Sequence, residues 1–441
     1  MLLRFSIENF LSFYNKVTFD MFPNPRKTSF PSHIYSNETI PVLKQAAIYG
    51  ANASGKSNFL DAFRFIRELI EGKNKLNETI ISNIKYQLVE ENTKDITFNI
   101  EFKTKGKYYK YFIAIGASAI KEESLYFSGL GKEEDKLIFT RTEDGLKTSK
   151  RINKDIASAT KDMINKNPFS TIISLNKNFP LLANIDTESI YNWFVENLET
   201  LSIKPELPQL PHILSKSKEI FDLTNLLIKE LDLGVESVDI KEEVINKETF
   251  NDNNQLVGDL KSRLDNLDEE SGIAIGNSNT ILHNIIKKGD DYIFKSLIFH
   301  QLGINDYKGE LNINNQSTGT QKLLMLIPAL YKLIHQEDYV LLIDELENSI
   351  HPMLITAIIK YFGNTDTKGQ LIFTTHETEL LNQQKYMRPD EVWFTEKHEG
   401  ITDLYSLNDF KEHNTINIRN GYFEGRYGAI PFIGNLSEIE D

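Results

Sequence analysis

Lys56 and Ser57 close the run Gly50-Ala51-Asn52-Ala53-Ser54-Gly55-Lys56-Ser57, which satisfies the pattern G-x-x-x-x-G-K-[ST] at every fixed position. Such a loop turns successive backbone N–H groups into a concavity that holds phosphate. The helix that follows adds partial positive charge at its N-terminus. The lysine reaches the β- and γ-phosphates, and the adjacent hydroxyl ligates Mg²⁺. Gly50, Asn52, Ser54, Gly55, Lys56 and Ser57 are therefore the expected phosphate-binding residues, with Ser57 also a metal ligand. A chance Gly/Ser-rich turn would lack flanking elements. Here the strand-like Ala46-Ala47-Ile48-Tyr49 precedes the loop, and the helix-like Asn58-Phe59-Leu60-Asp61-Ala62-Phe63 follows it.

Two carboxylates supply the complementary chemistry. Val340-Leu341-Leu342-Ile343-Asp344-Glu345 is an apolar run ending in two acids. A buried parallel strand reads as such a continuous run, and ligands sit at the carboxyl ends of such strands. Asp344 is then expected near the cation held by Ser57. Glu345 falls near the γ-phosphate, where a carboxylate orients or deprotonates an attacking water. Leu371-Ile372-Phe373-Thr374-Thr375-His376 repeats the theme, and places His376 to hydrogen-bond the γ-phosphate. In Asn315-Gln316-Ser317-Thr318-Gly319-Thr320-Gln321-Lys322, Ser317 resembles a helix cap whose hydroxyl and following N–H groups can bind an anion. Each has a plainer reading: Asp344 as a helix cap, His376 as a core histidine, Ser317 as an ordinary cap.

The elements that carry these groups are legible in outline. The 441 residues are enough for two or three domains. Met1 to Glu8 alternates apolar and polar residues as a strand, not a signal peptide. Residues 1–20 read as two strands around Asn9-Phe10-Leu11-Ser12-Phe13, and 21–45 as a loop. Ile96, Phe98, Ile100 and Phe102, then Tyr109, Tyr111, Ile113 and Ile115, alternate on either side of Lys105-Gly106, which predicts a hairpin with one buried face. From about 150 to 290 the pattern turns helical. Asp186 caps a stripe of Ile190, Trp193, Phe194 and Leu198. After Pro205, Pro208 and Pro211 comes a second stripe, Ile220, Leu223, Leu227 and Leu231. Asn251-Asp252-Asn253-Asn254 reads as a loop tip, 265–279 as mobile, and Asp290-Asp291 as a polar turn. Strand and helix alternate again from 291, so the α/β core is split by an insertion.

The composition, 40% hydrophobic and 25% charged, is that of a soluble globular chain. No apolar run is long enough for a membrane span. Without cysteine there is no disulfide framework and no Cys-based zinc site. The net charge of −14 makes the chain as a whole a poor non-specific binder of nucleic acid. The cytoplasm is the expected location.

Taken together, Ser317-Thr318-Gly319-Thr320-Gln321 resembles the signature motif of ABC-type ATPases, with Thr318 and Thr320 departing from the commoner Ser-Gly-Gly-Gln form. The order of phosphate loop, signature, Walker B acids and switch histidine is also similar to theirs. Glu347-Asn348-Ser349-Ile350-His351-Pro352 looks like their D-loop. The interruption of the core is similar to that of SMC-like and recombination-repair ATPases, although too short for their coiled coils. The chain most resembles the compact bacterial ABC-type ATPases labelled AAA-family, including those of Septu-like, PARIS-like and some retron phage-defence systems. Asn9 to Phe13 and Tyr422-Phe423-Glu424-Gly425-Arg426-Tyr427-Gly428-Ala429-Ile430-Pro431 fit these, and the likeness covers residues 1–115 and 290–435. The family's Q-loop has no clear counterpart. Gln87 is a candidate, and a loop residue without a role is the alternative. The tail from Arg419 to Phe432 reads either as a packing segment or as a partner contact.

The resemblance implies an α/β P-loop NTPase of ABC/SMC type with an antiparallel β subdomain and an inserted helical domain. Its parts are expected at 1–150, 151–290 and 291–441. It implies ATP and Mg²⁺ as cofactors, Glu345, Lys56 and His376 as catalytic residues, and Ser57 and Asp344 as metal ligands. Ser317, Gly319 and Gln321 of a second copy would close over the nucleotide in a homodimeric sandwich, with higher oligomers open. The chain carries no nuclease triad, no TOPRIM-like acidic set and no serine-nucleophile elbow. That absence favours a sensor or scaffold controlling an effector from the same operon. A DNA-end-binding ATPase is the alternative, using Lys103, Lys105, Lys107, Lys110, Lys147, Lys150, Arg151 and Lys154 with Tyr108, Tyr109 and Tyr111. A solvated face explains the same lysines. A transporter subunit fits worst, because the insertion is long.

Overall fold

The computed structural model describes residues 1–73, 76–149, 154–178, 186–201, 210–231, 233–246, 272–275, 283–288, 291–382, 385–410 and 417–431. Lys150, Arg151, Pro205, Pro208, the tip 251–254, Asp290 and Phe432 lie outside them, and of 265–279 only the strand Gly272–Ile275 is inside. The chain forms two compact units. One comprises Met1–Ile203, Leu333–Glu347 and Ile355–Asp441, and the other Lys204–Lys332 and Asn348–Leu354.

The first unit holds a six-stranded sheet in the order Leu198–Leu201, Val340–Ile343, Gln370–Thr374, Gln45–Tyr49, Val392–His398, Ile401–Ser406. All neighbours are parallel except the last pair. The three strands Val340–Ile343, Gln370–Thr374 and Gln45–Tyr49 are buried at every residue, which is why their interiors read as apolar runs. Ile343 pairs with Phe373, and Thr374 with Ile48. The segments carrying Asp344, Thr375 and Gly50 therefore leave the sheet side by side at one edge.

A second, seven-stranded antiparallel sheet clamps the helix Lys56–Glu71. Its hairpin Ile96–Thr104 and Lys107–Ile115 turns at Lys105 and Gly106, both with positive φ (47° and 73°). That is the twist a two-residue hairpin turn requires. Phe5 of this sheet lies 3.9 Å, ring centre to ring centre, from Phe63 of the helix. The helix that starts at the phosphate loop is thus anchored along its length.

Asp186 accepts the Ser189 N–H and caps the helix Thr187–Asn192, which continues as a π-turn, Trp193–Asn197. Trp193 is fully buried, stacks 4.1 Å from Phe102, and donates its Nε1–H to the Asp338 carbonyl at 3.2 Å. Trp193→Ala removes ring burial, stacking and this bond together. It is expected to destabilise the fold by about 3–5 kcal/mol, read as a lower urea midpoint. An unchanged midpoint would show that the π-turn contributes nothing to the core.

The second unit contains the helices Leu210–Lys216 and Lys218–Glu230, the latter capped by Ser217. Beside these helices it carries an antiparallel sheet. Ser237–Asn246 pairs with Asp291–Leu302, which also pairs with His283–Lys288 and Lys308–Asn312. Val238 and Ile240 alternate with charged residues, a period of two and not of 3.6, and Val238 enters the core with Phe299, Ile228 and Leu324.

Candidate functional site

The phosphate loop is held from outside by residues distant in sequence. Gly55 has φ 110°, a region that side chains rarely adopt, and a Cβ there would lie 2.7 Å from Thr402 Cγ2. Gly50 packs against Thr395, whose carbonyl oxygen would be 2.6 Å from an added Cβ. Ser54 Oγ is 2.6 Å from Thr395 Oγ1. Thr402 Oγ1 lies 2.9 Å from the Ser54 carbonyl and 2.8 Å from Ser12 Oγ, and Asn58 donates to Ser12 Oγ at 2.8 Å. Four side chains, Ser12, Ser54, Thr395 and Thr402, thus set the curl of the loop. Asn52 and Ser57 are exposed on it, while Ser54, Gly55 and Lys56 are buried.

Lys56 Nζ donates to the carbonyls of Gly50 at 2.8 Å and Ala51 at 3.1 Å. Burial lowers its ammonium below the usual lysine range, while Glu345, Asp344 and Glu347 act in the opposite sense. Lysine, aspartate and glutamates therefore share one electrostatic neighbourhood. Asp344 is buried and Glu345 half-buried with φ 45°. Thr374 connects them: its hydroxyl donates to Asp344 Oδ1 at 2.6 Å and accepts the Glu345 N–H at 2.7 Å.

His376 follows two residues later and faces solvent on its outer side. Its N–H donates to Glu347 Oε1 at 2.6 Å. Crowding by protein, reinforced by the Lys56 cation, holds its imidazole below the ordinary histidine value, so it is neutral at pH 7. Glu347 Oε2 is buried without a hydrogen-bond partner.

Ser317, Gly319 and Gln321 belong to the second unit. The Ser317 Oγ accepts the Thr320 N–H at 3.1 Å and opens the helix Thr318–His335. Ser317 and Thr318 are exposed. A Cβ on Gly319 would collide with the Ser349 carbonyl, so this position admits only glycine. Gln321 Nε2 donates to the carbonyls of Ile313 and Gln316 at 3.0 and 3.1 Å, bracing the turn before the helix.

The structure brings Gly50, Lys56, Asp344, Glu345 and His376 to one strand edge. Sequence reasoning placed Glu347 in the D-loop-like segment but missed its bond to His376, the role of Thr374 and the Ser12–Thr395–Thr402 clamp. Thr374 left a signal, as the polar residue that ends the apolar run Leu371-Ile372-Phe373. Gln87 is exposed, and its Nε2 donates to the carbonyls of Ser82 and Lys85, closing its own turn. The tail is packed: Tyr422 and Tyr427 stack on Phe394, Tyr405 Oη donates to the Tyr427 carbonyl at 2.7 Å, and exposed Arg426 pairs with Glu424.

The residues expected to hold a divalent cation are Ser57, exposed on the loop, and Asp344, buried at the strand end. Among the described residues no three His, Cys, Asp or Glu side chains cluster as a metal site. One carboxylate and one hydroxyl suit a small, hard cation that takes its other ligands from phosphate and water. Along the lysine hairpin, Lys103 pairs with Glu38 and Lys110 with Asp135, each within 2.7 Å. Tyr109 and Tyr111 are buried and Tyr108 donates to Glu38, so these rings form no exposed stacking platform.

A protein family described as "AAA domain, putative AbiEii toxin, Type IV TA system" matches residues 46–382. None of the curated proteins matches. Among solved structures, the crystal structure of the SmcHead bound to the C-winged helix domain of ScpA aligns with TM-score 0.46 and 14% identity, over 92% of this chain and 97% of that one. The SMC head domain from Thermotoga maritima aligns with TM-score 0.40 and 10% identity, over 92% and 98%.

Proposed function

The chain belongs to this AAA-domain family, and on that premise we propose that it is a cytoplasmic ATP hydrolase whose ATP-dependent pairing controls an effector protein in a bacterial antiviral defence system. The family is one of AAA domains, and the phosphate loop, the paired acids and the parallel sheet that carries them support reading the chain as a P-loop ATPase of the SMC-like, ABC type. The observation that carries the hydrolase reading is the convergence of Lys56, Asp344, Glu345 and His376 at one sheet edge, tied through Thr374.

Gly50, Asn52, Ser54, Gly55 and Lys56 cradle the phosphates with backbone N–H groups and one ammonium. Ser57 and Asp344 would hold Mg²⁺, which neutralises charge developing on the phosphate oxygens when it is bound. Glu345 orients or deprotonates the attacking water. His376, neutral at pH 7, hydrogen-bonds the γ-phosphate and registers its departure. Ser317 and Gly319 of a second copy close the site, their turn braced by Gln321.

The family description names a toxin of a toxin–antitoxin system, which is in keeping with an ATPase acting beside a partner. The pairing of Lys103 and Lys110 with carboxylates weighs against DNA as that partner. No helix among the described residues is long and apolar enough to cross a membrane. The test is to purify the protein from its native operon, with ATP and without. A second protein should co-purify in one nucleotide state and be released in the other. No second protein in any state, together with steeply salt-dependent DNA binding, would replace effector control with DNA-end binding.

A further inference from the structure

We propose that Thr374 is the positioning residue that sets Glu345 for catalysis, an inference that rests on the hydrolase reading above. Thr374 is fully buried at the end of an apolar strand, where a hydroxyl needs partners. Its two partners are both in the acid segment. It donates to Asp344 Oδ1 at 2.6 Å, the short distance of a charge-assisted bond, and accepts the Glu345 N–H at 2.7 Å. Its carbonyl accepts the Leu346 N–H at 3.1 Å. Three consecutive residues thus hang from one residue of the neighbouring strand.

The geometry explains why such a tie is needed. Glu345 has φ 45°, a conformation that a residue with a side chain holds only when its surroundings over-determine it. The Thr374 hydroxyl fixes its N–H and, in the same bond network, commits one oxygen of Asp344. The other Asp344 oxygen is thereby oriented for a cation, and the Glu345 side chain for a water. The adjacent Thr375 is used differently. Its N–H bonds the Ile48 carbonyl, and its Oγ1 accepts the Glu377 N–H at 2.9 Å. Thr374, and not Thr375, links the two acids through its hydroxyl.

The experiment measures ATP affinity with a fluorescent ATP analogue, and kcat and KM by phosphate release, for wild type, Thr374→Val, Thr374→Ala and Thr374→Ser. Valine keeps the shape and removes the hydroxyl. Alanine and serine differ by one oxygen, and give the comparison if the valine variant does not fold. The expected result is nucleotide affinity within about threefold of wild type, with kcat of the Val and Ala variants lower by about 10- to 100-fold, the scale on which a misplaced catalytic group slows reaction. Serine should recover most of the rate. Turnover of the Val and Ala variants near that of wild type would overturn the proposal, as would a serine variant as slow as alanine, or affinity falling in step with kcat. A wild-type protein that does not hydrolyse ATP would overturn the hydrolase reading itself, a result distinct from an active wild type with equally active variants.

Discussion

Glu345→Gln is expected to bind ATP, lose nearly all turnover and double in solution mass when Mg-ATP is added. Glutamine keeps the length and shape of the side chain, and its backbone N–H still reaches Thr374 Oγ1. What it removes is the carboxylate that, on the proposed mechanism, takes or directs the proton of water. Such a group contributes typically about 10²–10⁴-fold in rate. Because Lys56, Ser57 and Asp344 are untouched, nucleotide affinity should persist, and the closed sandwich should accumulate. Light scattering with and without Mg-ATP reads this directly. Equal turnover in wild type and variant would remove Glu345 from the mechanism. A higher oligomer that ignores nucleotide would point to a constitutive scaffold, in which ATP changes conformation and not assembly.

Lys56→Ala is expected to abolish useful nucleotide binding. The ammonium is held by its own loop, at 2.8 Å from the Gly50 carbonyl, and is buried among three carboxylates. It is a cation set against those acids, and on the proposed mechanism it also meets the incoming phosphates. Hydrogen bonds to charged groups are worth about 1.5–3 kcal/mol each, so losing two weakens binding on the order of 100-fold or more. Removing the lysine also leaves Asp344, Glu345 and Glu347 facing the nucleotide without a counter-charge. Calorimetric titration with ATP is the measurement. Affinity equal to that of wild type would mean the loop amides alone carry binding.

The parts of the site that were legible in the sequence are those whose chemistry is contiguous. The strand before the phosphate loop, the strand ending before Asp344 and Glu345, and the strand ending before Thr375 and His376 are each announced within about ten residues. So is the hairpin turning at Lys105 and Gly106. What was not legible is whatever depends on distant partners. Nothing near Ser12, Thr395 or Thr402 announces that the three meet around Ser54 and Gly55, because the signal lies in tertiary packing and not in local pattern. Tyr108, Tyr109 and Tyr111 admit two readings in the sequence, a stacking surface and, for Tyr109 and Tyr111, the buried face of a hairpin. Their interleaving with lysine resembles a stacking surface, but strand alternation sends Tyr109 and Tyr111 inward to the core. Of the sheet in the second unit, the strand Ser237–Asn246 was hidden because it follows directly on the helical stripe of Ile220 to Leu231 and was read as part of the same helical stretch.

The clamp on the phosphate loop also sets the timing of biosynthesis. Ser54 and its partner Thr402 are 348 residues apart, and the strand of the loop lies between strands that begin at Gln370 and Val392. Chains emerge at roughly 5–20 residues per second, so the loop waits on the order of tens of seconds on the ribosome before its neighbours exist. The nascent chain therefore displays its G-x-x-x-x-G-K-S segment long before that segment can grip a phosphate, and ATP cannot assist the folding of the first half. Competence for nucleotide is expected only after the hairpin of Val392–His398 and Ile401–Ser406 has docked beside the loop.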